Sequence, residues 1–150
     1  MEIRNEASQG DYTISTDKSK LDPTVIHAYL AGESYWAKNI PMEVVQRSID
    51  HSLCFGLYHK DAQVGFARVV TDRATFAYLA DVFVLPGHRG KGLSKWMIAF
   101  IHEYPELQGL RRWLLGTLDA HELYKQFGWQ ALSPEVVPRF MQRHFPDVYK

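Results

Sequence analysis

Apolar positions along the chain change period several times, and each change marks an element. Residues 12–16 (Tyr-Thr-Ile-Ser-Thr) alternate weakly and predict a first strand. Asp22-Pro23 then opens a helix, a cap residue followed by proline at the first helical position. Val25, Ile26, Tyr29 and Leu30 fall at helical spacing, and Gly32 ends the run. A second helix starts after Pro41, with Val44, Val45, Ser48 and Ile49 on one face. Segments 53–59 and 63–70, divided at Lys60-Asp61, read as a hairpin. Segment 76–85 is nearly continuous in apolar residues, as a central strand covered on both faces would be, and Pro86-Gly87 stops it. Leu93, Trp96, Met97, Phe100 and Ile101 recur at i, i+3, i+4, i+7 and i+8, the clearest amphipathic helix in the chain, which ends near Pro105. A strand over 111–118 follows. Asp119-x-x-Glu122, a capping-box variant, opens a helix with Ala120, Leu123, Tyr124 and Phe127 on its apolar face and Gly128 at its end. A short strand from Trp129 and a tail with three prolines (134–150) complete the chain. The order β-α-α-β-β-β-α-β-α-β predicts a mixed α/β (α+β) sheet covered by helices.

Composition narrows the function classes. At 150 residues, with no internal repeat and no Gly/Ser linker, the chain reads as one domain over 1–150. Seventeen Lys and Arg balance seventeen Asp and Glu. A neutral chain exerts no global pull on nucleic acid or anionic membrane, so neither is expected as a partner, and any bound anion must be held locally. Cys54 stands alone and, lying in a predicted strand, reads as a small buried hydrophobe. Residues 1–10 lack the apolar core of a secretory signal, and no apolar run approaches the ~20 residues that span a bilayer. A soluble, cytoplasmic protein is expected. The histidines show no metal-ligand spacing (His102-Glu103 is followed by Glu106 where a second His would stand), so no metal is expected. Arg111 and Arg112 read as a solvated entrance to the strand that follows.

One stretch carries candidate chemistry. The buried strand Val82-Phe83-Val84-Leu85 runs into Pro86-Gly87-His88-Arg89-Gly90-Lys91-Gly92, and the strong helix begins at once with Leu93-Ser94. Glycines let the backbone approach an anion closely, and the first N–H groups of a helix together with its dipole favour phosphate. Arg89, Lys91 and Lys95 add cationic side chains. On residue chemistry alone a pyrophosphate cradle and an ordinary strand-to-helix turn with a basic rim both stay open. A Walker loop is excluded, because Gly90-Lys91 is followed by Gly92, not Ser or Thr. The dinucleotide fingerprint fails too, because Lys95 occupies its third glycine position.

Arg89-Gly90-Lys91-Gly92-Leu93-Ser94 resembles the Gln/Arg-x-x-Gly-x-Gly/Ala signature of the GNAT acetyltransferases, with Ser94 at the last position. Leu79-Ala80-Asp81-Val82-Phe83-Val84 looks like the strand preceding that signature, and Leu123-Tyr124-Lys125-Gln126-Phe127-Gly128-Trp129 resembles the family's Leu-Tyr-x-x-x-Gly-Phe landmark. Two departures stand out: Thr117 where many relatives carry Asn, and Ala80 where some carry an acid. The resemblance implies a mostly antiparallel sheet flanked by helices, and an N-acetyltransferase using acetyl-CoA as co-substrate. It places Arg89, Gly90, Lys91, Gly92, Leu93 and Ser94 at the pyrophosphate, and Val82, Phe83 and Val84 along the pantetheine arm and thioester. It implies Tyr124 as proton donor to the leaving thiolate, although the same residue would serve as core packing. Asp81, on the strand face of Phe83 by period-two alternation, is a candidate base or amine anchor, with structural pairing equally open. Glu33, Tyr35 and Trp36, between the first two helices, are candidate acceptor residues, with surface packing open beside that. The acceptor would be a small-molecule or peptide amine. A non-catalytic acyl-CoA-binding module on the same fold stays as the alternative reading, and a homodimer stays open.

Overall fold

The computed structural model describes residues 5–149; residues 1–4 of the polar N-terminal stretch and Lys150 of the tail lie outside the described residues. Strands β1 (Glu6–Gln9) and β2 (Tyr12–Ser15) form a hairpin turned at Gly10, whose φ is 57°. The sequence shows only the second of them, because β1 is a solvated edge strand with no apolar alternation. Helix α1 (Pro23–Ala28) starts as expected, with the Asp22 carboxylate accepting from the Thr24 and Val25 N–H groups. It does not run on as α-helix to Gly32. Tyr29–Glu33 widens into a π-turn, closed by the Ser34 N–H on the Tyr29 carbonyl (2.9 Å) and the Ser34 hydroxyl on the Leu30 carbonyl (2.6 Å). Helix α2 (Met42–Asp50) follows.

Strands β3 (Leu53–His59), β4 (Ala62–Thr71) and β5 (Phe76–Val84) continue the antiparallel order, helix α3 (Leu93–Glu103) crosses over, and β6 (Arg112–Leu114) returns parallel to β5. Helix α4 (His121–Lys125) is short. Its start differs from the expectation: Ala120, not Asp119, sits at the cap position, and the Thr117 hydroxyl accepts the Ala120 N–H at 3.0 Å. Strand β6 is shorter than 111–118, and no strand forms from Trp129 among the described residues. The sheet runs β1-β2-β3-β4-β5-β6. On one face α1, the π-turn and α2 bury Ile26, Leu30, Val45 and Ile49 against Cys54, Phe66 and Phe83. On the other, Met97, Ile98 and Ile101 of α3, with Tyr124 of α4, pack on Phe55, Leu57, Val69 and Leu79.

Two local irregularities position the site. Opposite β4, Phe66 pairs with Phe83 but Arg68 pairs with Ala80, so β5 carries one extra residue, and Asp81 adopts a φ of 55° there. Such a bulge bends its strand. Pairing between β5 and β6 stops at Tyr78 and Leu114, just before it. β6 ends there, so the C-terminal half of β5 has no strand partner on that side among the described residues, which leaves a gap in the sheet.

Candidate active site

The wall of this gap is the backbone of β5. The Leu85 N–H donates across to the Val64 carbonyl of β4 at 2.8 Å. Backbone groups alternate sides along a strand, so those of Val82 and Val84 face away from β4, toward the gap. Phe83 contributes backbone only: its ring is buried in the α1/α2 core and stacks on Tyr29 at 4.1 Å, with 10° between planes.

The strand delivers the chain into the glycine turn. Gly90 and Gly92 have φ of 79° and 75°, and a Cβ at either would meet nothing within 4 Å. The turn is therefore open on the side a ligand would occupy, in a conformation that glycine alone adopts cheaply. Gly92 is the cap residue of α3 and its carbonyl accepts the Trp96 N–H at 3.0 Å. The N–H groups of Leu93, Ser94 and Lys95 then have no partner within the helix and emerge at its positive end. Leu93 is buried beneath them and anchors the turn, while Lys91 is exposed beside it. The Arg89 guanidinium ties the loop down from within, donating to the Val84 carbonyl (2.8 Å) and the Tyr29 hydroxyl (3.1 Å). From the β2 side the Tyr12 hydroxyl meets His88 Nδ1 at 2.8 Å. Desolvation, helped by the neighbouring His59 and Lys91 charges, holds His88 below the usual histidine range. The residues present fit a pyrophosphate: open backbone, emergent N–H groups and a braced loop.

Tyr124 of α4 is 8% exposed and packs in the core on which Val82 also rests, with no hydrogen-bond partner for its hydroxyl among the described residues. Burial, with a smaller contribution from the nearby Tyr35, pushes the phenol up to about 12. The acceptor-side residues divide. Trp36 donates from Nε1 to Asp81 Oδ1 at 2.8 Å, and Tyr35 accepts the Leu118 N–H at 2.8 Å, so the segment between α1 and α2 bridges to both β5 and the β6–α4 connection. Glu33 is exposed and is not drawn into these contacts.

Asp81 is on the Phe83 side of the sheet as expected, and both its oxygens are engaged, because Arg68 Nε donates to Oδ2 at 2.8 Å and also reaches Ser52 through Nη1 at 3.1 Å. Removing one partner of a largely buried pair leaves an uncompensated charge, which typically costs about 3–5 kcal/mol. With Arg68 and Asp81 side chains 19% and 9% exposed, Arg68→Ala is expected near the lower end, about 3 kcal/mol, in urea unfolding. A loss below about 1 kcal/mol would show that solvent compensates Asp81.

Arg68, Tyr29, Tyr12 and His88 brace the site without any signal in the sequence, since their contacts join elements far apart in the chain. Cys54 is buried, and desolvation pushes its thiol up to about 11, which suits packing rather than reactivity. Among the described residues no group of three His, Cys, Asp or Glu could hold a metal ion, and no helix is long and apolar enough to cross a membrane.

The fold is shared with known proteins. A GNAT-family protein from Xanthomonas campestris pv. campestris, solved at 1.40 Å, superposes with a TM-score of 0.88 at 51% identity, covering 92% of this chain and 96% of that one. A curated relative from Gibberella zeae, "Putative acetyltransferase FG08082", is 36% identical over 78% of this chain and 77% of its own length. N-acetylglutamate synthase from Neisseria gonorrhoeae, solved with coenzyme A and N-acetyl-glutamate, shares the fold at a TM-score of 0.63 and 18% identity, over 88% of this chain and 31% of that one. The sequence profile of the Acetyltransferase (GNAT) family matches residues 24–129, and the chain is a member of that acetyltransferase family.

Proposed function

We propose that the protein transfers an acetyl group from acetyl-CoA to a primary amine by direct attack. The observation that carries this reading is one continuous arrangement: the gap-facing backbone of Val82 and Val84 leads into the open turn at Gly90 and Gly92, and Tyr124 packs in the same core as Val82. The neighbour solved with coenzyme A on the same fold supports the choice of acyl carrier. Acetyl-CoA supplies the activated thioester; the chain binds, orients and moves protons.

Residues 89–94 would hold the pyrophosphate through backbone N–H groups, and Val82 and Val84 would align the pantetheine arm. A gap-facing N–H near the thioester carbonyl would stabilise charge building on its oxygen; losing such a donor typically costs ~10²–10³ in rate. The amine nitrogen forms the new bond to the acetyl carbon, the C–S bond breaks, and the amine gives up a proton to solvent. Tyr124, held protonated by burial, would return a proton to the departing sulfur. Asp81, already bonded to Arg68 and Trp36, would act as an anchor for the acceptor-side wall; an unengaged base is not what its contacts resemble.

The test is a CoA-release screen over a panel of primary amines. At least one acceptor should raise CoA release tenfold or more over solvent hydrolysis. Tight acetyl-CoA binding with no accepted amine in a broad panel would favour the non-catalytic acyl-CoA-binding reading.

A further inference from the structure

The outer edge of β6 has no partner strand among the described residues, and beside it lies an open cleft of about 930 Å³. One wall is β6 and its continuation to Thr117; the other is the tail at Leu132, Val136 and Val137. Tyr124, the proposed proton donor, lies in its lining.

Its charge is one-sided. Arg111, Arg112 and Lys125 line it together with His102 and His121, and no carboxylate does. This happens in a chain whose charges cancel. Neither Arg111 nor Arg112 forms a salt bridge among the described residues, while Lys125 makes only an exposed pair with Glu122 at 3.3 Å. The Arg112 guanidinium lies over the Phe140 ring at 4.9 Å. Stacking uses the face of the guanidinium and leaves its N–H edge available to a carboxylate. What reads in sequence as a solvated strand entrance is here the basic end of a cleft.

We propose that this cleft receives an extended acidic peptide, laid along the free edge of β6 with its terminal amine at Tyr124 and its acidic side chains at Arg111 and Arg112. The reading rests on acetyl transfer as proposed above and names the acceptor class. An open strand edge offers backbone hydrogen bonds to an added strand. Thr117, at the far end of the β6 wall, is five positions on from Arg112, or about 16 Å of extended chain at ~3.3 Å each, and a peptide spanning that wall would carry its acids about four to five residues from its terminal amine. A second copy's tail fits less well, because residues 134–150 carry Arg139, Arg143 and Lys150 against Glu135 and Asp147.

The test uses two synthetic peptides of identical N-terminus, with Glu or Gln at the fourth and fifth positions, assayed for acetylation and, as fluorescent forms, for binding by anisotropy. The acidic peptide should show at least a tenfold higher kcat/KM, residing mainly in KM and shrinking at high salt. Arg111→Gln/Arg112→Gln should abolish the preference with acetyl-CoA affinity unchanged, and Arg111→Lys/Arg112→Lys should restore part of it. Equal kcat/KM for the two peptides, or a preference that survives the Gln pair, overturns the proposal. So does acetylation of small amines with both peptides inert, an outcome that leaves acetyl transfer standing. Arginine-dependent binding of the acidic peptide, with no amine acetylated, would uphold the cleft and remove the transfer reading instead.

Discussion

Tyr124→Phe is expected to lower turnover by ~10²-fold or more while leaving acetyl-CoA affinity roughly constant, the signature of an interaction made in the transition state alone. The substitution removes one oxygen and keeps the ring, which packs in the α3/α4 core and meets Trp129 edge-on at 5.9 Å. The hydroxyl has no hydrogen bond to lose among the described residues, so stability should change by less than about 1 kcal/mol. The pH dependence has a definite sign. Burial disfavours the phenolate, so the folded protein keeps the proton up to about 12, against the ordinary 10.0. The corresponding stabilisation is fully present below pH 10 and is lost as pH rises toward the folded value. Tyr124 therefore stays a competent donor across the assayable range, and any alkaline limb in the wild-type profile belongs to another group. The same limb should persist in Tyr124→Phe at a lower plateau. Turnover within a small factor of wild type at every pH would assign Tyr124 to the core and the proton to water.

Local rules made most elements legible, and the misses have physical causes. Helices α1 to α3 and the β3/β4 hairpin follow from caps, turns and apolar periods that act within a few residues. Strand β1 escaped because a solvated edge needs no apolar pattern; its partner β2 supplies the register. The π-turn at Tyr29–Glu33 escaped because its closure by the N–H and hydroxyl of Ser34 leaves the helical spacing of the apolar positions undisturbed. The strand expected from Trp129 has the right composition but gains no ladder beside β6. Asp119 looks like a cap by position, yet the Thr117 hydroxyl takes up the Ala120 N–H.

The candidate site divides along the same line. The glycine turn is written in contiguous residues, so the sequence displays all of it. Alternation put Asp81 on the Phe83 side, but could not show the bulge there or that Arg68 and Trp36 would meet its two oxygens. Tyr35 and Leu118 are joined across 83 positions by one hydrogen bond that no spacing rule anticipates. Glu33, two residues before Tyr35 and the last of the π-turn, is exposed and stays outside their contacts.

Gly92→Val should weaken acetyl-CoA binding by at least tenfold, about 1.4 kcal/mol, in calorimetry. Two separable effects meet at this position. A Cβ there encounters nothing in the free protein, so the new side chain would project from the open turn beside the emergent N–H groups of Leu93, Ser94 and Lys95. A pyrophosphate held by those groups would have to give way to the isopropyl. Independently, a φ of 75° is costly for any residue with a Cβ, by about 1–2 kcal/mol, and more for a β-branched one. That cost appears as lower stability, or as a shift of the turn that misdirects the N–H groups. Gly109→Val provides the control, since Gly109 also has positive φ (76°) and open space around a Cβ but lies between α3 and β6, beyond the C-terminal end of the helix that the cradle opens. Both variants should lose stability, and only Gly92→Val should lose affinity. Unchanged affinity in a folded Gly92→Val protein would remove the turn from the cofactor site, while equal losses in both variants would attribute the effect to global destabilisation.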